Sequence, residues 1–151
     1  MEVIIGLLLR AFDSVWKPKK AYAHCDIPCG VYETDSATHA AQTVYVLTEK
    51  LLKLEQPKQG DEKARLAYVH TSARMTEVKE KFAHICKQEL LILWTDYFKP
   101  EHLQKYPNLH DTIWKAAKQC STVKREVSLE AAQKLKDMVA EVGRIFAETK
   151  K

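Results

Sequence analysis

The nonapeptide His-Cys-Asp-Ile-Pro-Cys-Gly-Val-Tyr, residues 24–32, contains the side chains best suited to bind a metal ion. If the chain is cut after Ala23, His24 offers a free α-amine together with its imidazole. Cys25 adds a thiolate and a backbone amide that can lose its proton to a metal, and Cys29 adds a second thiolate. The order of these residues therefore predicts a metal-binding hook, residues 24–34, at a processed N-terminus.

The cysteine pair alone is weak evidence, since Cys-x3-Cys also fits a chance pair, a labile disulfide or half of a zinc site. Pro28 would bend the backbone so that both thiolates reach one ion, and Gly30 would allow a tight exit from the hook. Zinc would need two further ligands. The remaining candidates form no paired spacing with one another: His39, His70, His84, His102, His110, Cys86 and Cys120.

Residues 1–23 differ in composition from the rest and are predicted to be a cleavable leader. An apolar stretch, Val3 to Leu9, precedes the basic segment Lys17-Pro-Lys-Lys20, and Ala21-Tyr-Ala23 is a small-x-small site of the kind that peptidases cut. A secretory signal has its positive charge before the apolar run, and here the order is reversed. We therefore predict a cytoplasmic propeptide, with export or a retained amphipathic tail as the alternatives.

Residues 35–151 have the apolar spacing of four helices joined by short loops, which predicts an all-α fold, an up-and-down four-helix bundle. The second helix is expected to bury apolar residues along its length, among them Leu66, Val69, Ala73, Phe82, Ile85 and Leu93. The predicted helices are, in order, one capped by Asp35 or Ser36 and ending at Gln56-Pro57, one capped by Asp61 and ending at Lys99-Pro100, one following Pro107, and one capped by Ser128.

The composition agrees with a single globular domain that carries a short appendage. The 151 residues are 46% hydrophobic and 29% charged, and the chain has no Gly-rich phosphate loop. The net charge of +4 is too small and too interleaved for nucleic acid, although it favours the arrival of a small anion. The longest apolar run falls far short of the ~20 residues that a membrane-spanning helix needs. We expect neither nucleic acid nor membrane as a partner.

With these residues in view, the chain resembles the nickel-containing superoxide dismutase family. The family motif His-Cys-x-x-Pro-Cys-Gly-x-Tyr matches residues 24–32, and a second match, Leu-Trp-Thr-Asp-Tyr-Phe-Lys-Pro, covers residues 93–100. This second match continues to the Lys-Tyr-Pro-Asn-Leu-His of residues 105–110, and residues 145–151 are similar as well. The resemblance thus spans residues 24–151, with two separate motifs in the family's order.

The resemblance implies a homohexamer of four-helix bundles, a peptidase that removes the leader, and one nickel ion per subunit. It implies that His24, Cys25 and Cys29 bind the ion, with the His24 imidazole as an axial ligand in the oxidised state. The activity would be that of an antioxidant oxidoreductase, which disproportionates two superoxide radicals to dioxygen and hydrogen peroxide by cycling nickel(II)/nickel(III).

The donor set gives a separate physical reason to expect nickel. Imidazole, amine, amide and two thiolates form a strong-field, mostly planar set that suits a d8 ion. Anionic sulfur and amide donors stabilise nickel(III). They thereby bring the nickel(III)/nickel(II) potential between that of the dioxygen/superoxide couple and that of the superoxide/peroxide couple. Thiolates beside peroxide are at risk of oxidation, so coordination must protect them.

Four further residues receive roles through the resemblance. Tyr32 and Tyr97 match tyrosines that close the open face of the metal and order water there, and Asp26 and Lys99 match residues that hold the hook in place. Lys99 would also attract the anionic substrate. Outside the motif, the tyrosines would be half-buried aromatics with hydrogen-bonded hydroxyls, and the two charges would be ordinary solvated groups.

The chain departs from the family pattern at Ala40 and Phe82, where the best-known members have a glutamate and a basic residue that orient the axial imidazole. Hydrogen bonds of that kind fix the ring orientation and basicity of a ligating histidine. His39 or His84, one or two residues away, would be the replacement, although a histidine at such a position is more often an ordinary surface residue.

Two other functions stay open on the sequence alone. A non-catalytic nickel or copper binding protein would use the same N-terminal donors, and a retained leader would fit it. A dithiol oxidoreductase or disulfide-stapled protein would use Cys25 and Cys29 and would hold no metal. Cys86 and Cys120 have no family role and are expected to be small buried hydrophobes.

Overall fold

A computed structural model describes residues 30–150, and these residues form helices and connecting loops. The residues from Tyr32 onward form one compact unit. None of the helices described is both long and apolar enough to cross a membrane. The elements in chain order are α1 (Asp35–Leu52), α2 (Glu62–Ile92), a π-helical turn (Leu93–Tyr97), α3 (His102–Lys105), α4 (Leu109–Arg125) and α5 (Leu129–Thr149).

Each of the four long helices packs mainly against two others. Helix α1 contacts α2 and α5, and α4 contacts the same two helices. Long helices that follow one another along the chain are therefore neighbours, as in an up-and-down bundle. The predicted all-α bundle is confirmed, and its core contains apolar residues from every long helix, such as Val44, Leu90, Ile113 and Leu135.

Two of the predicted helix starts are confirmed by their caps. The Asp61 carboxylate accepts a hydrogen bond from the Ala64 N–H at 2.9 Å, and the Ser128 hydroxyl oxygen accepts one from the Ala131 N–H at 3.1 Å. Each cap satisfies an N–H group that the first turn of a helix leaves without a partner.

The limits of α1 differ from the prediction at both ends. Thr34 occupies the N-cap position without a side-chain hydrogen bond, and Asp35 is the first helical residue, so neither Asp35 nor Ser36 is the cap. The Asp35 carboxylate still lies where the helix dipole favours negative charge. The helix ends at Leu52, several residues before Pro57, because a proline limits how far a helix can extend without fixing where it stops.

The end of α2 is a wider turn that the sequence pattern does not predict. After Ile92 the backbone forms the π-helical turn, and Phe98 then becomes extended, with φ −72° and ψ 134°. The helical path thus ends just before the predicted stop at Lys99-Pro100. A π turn rotates the side chains that follow it about the helix axis and is frequent at functional sites. The last residue of this turn is Tyr97.

The first half of α2 does not bury its apolar residues within one chain, contrary to the sequence expectation. Leu66 is 57% exposed and Val69 is 49% exposed, and Ala73 is exposed as well. Later along the path Leu93 is buried, as expected. With 31 residues α2 is the longest of the helices, so the other three cannot cover all of its turns.

Cys86 from α2 and Cys120 from α4 meet in the bundle core. Both are fully buried and neither forms a disulfide. A hydrogen bond with Cys120, together with burial, holds the pKa of the Cys86 thiol well above its ordinary value. A protonated thiol is a poor nucleophile and a poor metal ligand. The expectation that these two residues are small buried hydrophobes is confirmed.

Lys79 is a buried lysine of α2 that binds the end of α4. Its side chain is 1% exposed, and its ammonium donates hydrogen bonds to the carbonyl oxygen of Val123 and, at 2.9 Å, to that of Glu126. The last turn of a helix leaves such carbonyls without partners and favours positive charge. Burial lowers the pKa of Lys79, and the charge of Glu80 partly opposes this effect.

We expect Lys79→Met to lower the free energy of unfolding by about 1–3 kcal/mol, because two carbonyl groups lose their donor while the apolar volume is nearly kept. Lys81→Met, at an exposed position of the same helix, is the matched control and should change stability by less than about 0.5 kcal/mol. Urea unfolding followed by circular dichroism measures both. Equal effects of the two substitutions would contradict the role of Lys79.

Candidate metal centre

The predicted metal ligands His24, Cys25 and Cys29 lie outside the described residues, as does Asp26. The description begins at Gly30, whose φ of +69° lies in the left-handed region that favours glycine. This backbone agrees with the predicted tight exit from the hook. Within residues 30–150 no group of three or more His, Cys, Asp or Glu side chains is placed to hold a metal ion.

Tyr32 and Tyr97, which come from the two separate motifs, are in contact. Their ring centroids lie 5.4 Å apart with an interplanar angle of 57°, and both side chains are half-buried. Tyr32 lies just before α1, and Tyr97 ends the π-helical turn after α2. The fold thus brings together the two tyrosines to which the sequence assigns a common role.

Aromatic rings surround Tyr97 on several sides. The centroid of its ring lies 4.6 Å from that of Phe146 in α5 and 5.0 Å from that of Phe98. The His102 imidazole stacks on it at 5.7 Å with an interplanar angle of 26°. The Lys99 N–H donates to Nδ1 of His102 at 3.2 Å, which orients that imidazole. Such contacts fix the position of the Tyr97 ring independently of its hydroxyl group.

The last turn of α5 and the residue after it contact both tyrosines. The Thr149 hydroxyl oxygen lies 3.1 Å from that of Tyr97. Nζ of Lys150 donates to the carbonyl oxygen of Tyr32 at 3.3 Å and to the Glu33 carboxylate at 2.6 Å. The C-terminal end of the bundle is therefore connected to the segment that directly precedes α1.

Thr149, Lys150 and Glu33 receive no role from the sequence, although residues 145–151 are part of the family resemblance. Terminal residues are usually poorly ordered unless contacts hold them. The resemblance of residues 145–151 to the family therefore indicates that contacts hold this end of the chain in place. The pattern cannot indicate which residues they involve, because the partners are more than fifty positions away.

The two positions that depart from the family pattern lie in the bundle. Ala40 is fully buried, and Phe82 is half-buried with its ring 6.1 Å from the His39 imidazole at 65°. His39 and His84 are both exposed. Of the two candidate replacements, His39 is the one whose ring lies beside Phe82, the position at which the family has a basic residue. That His39 orients the imidazole of His24 stays a prediction.

Glu148 connects the last turn of α5 to the segment that follows the π-helical turn. Its carboxylate accepts hydrogen bonds from the Tyr106 hydroxyl and from Arg144, and Nζ of Lys105 lies 3.4 Å away. The Tyr106 hydroxyl, followed by Arg144, lowers the pKa of Glu148 to about 2. The ionised carboxylate therefore helps to hold the turn that carries Thr149.

This lowered pKa predicts how stability depends on pH. Because the pKa of Glu148 is lower in the folded chain than its ordinary value of 4.5, its contribution to stability is complete above that value and is lost as the pH falls toward 2. Glu148→Gln should lower the melting temperature near neutral pH and converge with wild type at strongly acid pH.

Thermal unfolding followed by circular dichroism over this pH range measures the effect, and Glu101→Gln, at an exposed position, is the control. A difference between wild type and Glu148→Gln that stays constant over the whole range would contradict the assignment.

This chain is similar to known proteins in both sequence and fold. The model of the family described as nickel-containing superoxide dismutase matches residues 19–150. A nickel superoxide dismutase of Streptomyces seoulensis is 37% identical over 138 residues, which cover 91% of this chain and 96% of that protein. A second one, of Streptomyces coelicolor, is 37% identical over 129 residues, which cover 85% and 89%.

The fold leads to the same relatives. A native nickel superoxide dismutase structure superposes with a TM-score of 0.73 and 37% sequence identity, over 85% of this chain and 100% of that chain. The resemblance stated from the motifs is confirmed over most of the sequence. This chain belongs to the nickel-containing superoxide dismutase family.

Proposed function

We propose that this protein disproportionates superoxide with a nickel ion bound by His24, Cys25 and Cys29. Membership of a family of nickel-dependent oxidoreductases supports catalysis over the alternative of a non-catalytic metal carrier. The observation that carries the assignment to this site is the contact between Tyr32 and Tyr97, because it joins the motif of the hook to the second motif of the family.

The donors of the hook fit nickel. His24 supplies an amine and an imidazole, Cys25 an amide nitrogen and a thiolate, and Cys29 a second thiolate, which is the nitrogen and sulfur set that suits a planar d8 ion. When bound, nickel supplies the one-electron couple by which one superoxide is oxidised to dioxygen and the next is reduced. Reduction consumes two protons for each hydrogen peroxide formed.

The residues of the bundle would limit access to the metal, hold water beside it and attract the substrate. The half-buried pair Tyr32 and Tyr97 would limit access to the hook and hold water with its hydroxyl groups. Water or these hydroxyls would provide the protons that the product needs. Lys99 is exposed two residues after Tyr97, where its charge would attract the superoxide anion. Asp26 would hold the hook in its working conformation.

The leader is proposed to be removed in the cytoplasm. The α-amine of His24 exists only after cleavage, so residues 1–23 would act as a propeptide that keeps the site inactive. The family match begins at residue 19, close to this boundary. Residues 24–151 are 85% of the chain, a share equal to that covered by the native relative's structure. The charge order of the leader supports a peptidase inside the cell over export.

We expect Cys25→Ser and Cys29→Ser each to lose nickel and to reduce the rate of superoxide disproportionation at least ~100-fold, because changes at the groups that hold a metal have effects of this size. The helical circular dichroism should stay unchanged, since both residues precede the first helix of the bundle, which begins at Asp35. Cys120→Ala, in that core, is the control and should keep both nickel and activity. Wild-type activity in either serine variant would contradict the site.

The homohexamer is proposed with support from apolar side chains that a single chain leaves exposed. Leu52 at the end of α1 is 55% exposed, and Leu66 and Val69 in the first half of α2 are 57% and 49% exposed. Leu66 and Val69 lie three positions apart and so share one face of α2, and contiguous exposed apolar surface is typical of protein–protein contacts. Burial between subunits would give the first half of α2 the cover that the single bundle lacks.

Leu66→Glu should therefore dissociate the assembly, because it would place a charge in an apolar contact between subunits. Sedimentation equilibrium measures the assembled mass, and circular dichroism checks that the subunit stays folded. Val127→Glu changes a residue that is also 49% exposed but lies in the loop before α5, and it should leave the assembly intact. A Leu66→Glu protein with the mass of six subunits would contradict the proposed contact.

A further inference from the structure

The hydroxyl groups of Tyr97 and Thr149 form a chain of hydrogen bonds with a defined direction. The Thr149 hydroxyl donates to the carbonyl oxygen of Phe146 at 2.9 Å. A hydroxyl group has one proton to donate, and a carbonyl oxygen can only accept. The proton in the 3.1 Å contact between Thr149 and Tyr97 must therefore come from Tyr97. The phenol proton is thus directed into the bundle, toward the last turn of α5.

We propose that Thr149 is a positioning residue of the metal centre, which acts by setting the direction of the Tyr97 hydroxyl proton. This inference rests on the proposed function, in which Tyr97 belongs to the site. With its proton bound by Thr149, the Tyr97 oxygen presents only lone pairs to its other side. It then accepts a hydrogen bond from a water molecule and does not donate one to the superoxide anion. The water held in this way supplies a proton to the product.

The surroundings of Tyr97 separate this role from a structural one. Phe146, Phe98 and His102 contact its ring, so the ring keeps its place when the Thr149 hydroxyl is removed. Valine has nearly the shape of threonine, and Thr149→Val therefore deletes the two hydrogen bonds and little else. Thr149→Ser retains the hydroxyl group and should restore the wild-type behaviour.

A double-mutant cycle tests the proposal on the nickel-loaded protein. Thr149→Val should lower the rate constant for superoxide disproportionation about threefold to tenfold, as expected for one hydrogen bond. In a Tyr97→Phe background the same change should have no further effect, because the hydroxyl through which Thr149 acts is gone. Equal effects of Thr149→Val in both backgrounds, or no rescue by Thr149→Ser, would overturn the proposal.

Ultraviolet resonance Raman spectra give a readout that does not need activity. The tyrosine doublet of Tyr97, isolated as the difference between wild type and Tyr97→Phe, should show a donating phenol in wild type and lose that character in Thr149→Val. Thr112→Val is the matched control, since the Thr112 hydroxyl also donates to a helix carbonyl, that of Asn108 at 3.0 Å. It should leave the doublet and the rate unchanged.

The two readouts separate failure of this inference from failure of the proposed function. Nickel-loaded wild type without activity would contradict the function, and the Raman doublet would still decide whether Tyr97 donates to Thr149. An active wild type whose doublet is the same in Thr149→Val would overturn the role of Thr149 alone.

Discussion

In the proposed metal centre, the α-amine of His24 is the donor on which the other donors depend. Before cleavage this nitrogen belongs to the peptide bond with Ala23, where its lone pair is delocalised and it binds a metal only after losing a proton. After cleavage it would be an amine, which has a pKa of about 8 and therefore gives up its proton to a metal far more readily than an amide does. It would then join the imidazole of the same residue and the amide and thiolate of Cys25 in one donor set. One covalent event would thus complete the donor set of the proposed site.

The C-terminal end of the bundle holds the two tyrosines that are assigned to the proposed site. The π-helical turn brings Tyr97 against Phe146 of α5, and the final residues of the chain reach both tyrosines through Thr149 and Lys150. These contacts join segments that are distant in sequence, so they exist only when the four helices are packed. The arrangement of the two tyrosines is therefore a product of the whole fold, whereas the proposed metal donors come from residues close together in the sequence.

The difference between contacts within a short segment and contacts between distant segments explains how much could be predicted from the sequence. Helix starts at Asp61 and Ser128 were predictable because the capping side chain and the N–H it binds are three residues apart. The π-helical turn, and the contacts of Thr149, were not, because they depend on how α2 and α5 pack together. The exposure of Leu66 differed from expectation because periodicity identifies an apolar face without identifying what covers it. The ligands of the hook stay predictions from the motif.

The nickel content of two chains that differ by a single residue tests the central claim most directly. One chain begins at His24, and the other keeps Ala23 in front of it, so that both have the same imidazole and thiolates and only the first has an α-amine at His24. After identical loading, elemental analysis should find one nickel per subunit in the first chain, together with superoxide disproportionation, and the second should lose both. Equal nickel content and equal rates in the two chains would contradict the account.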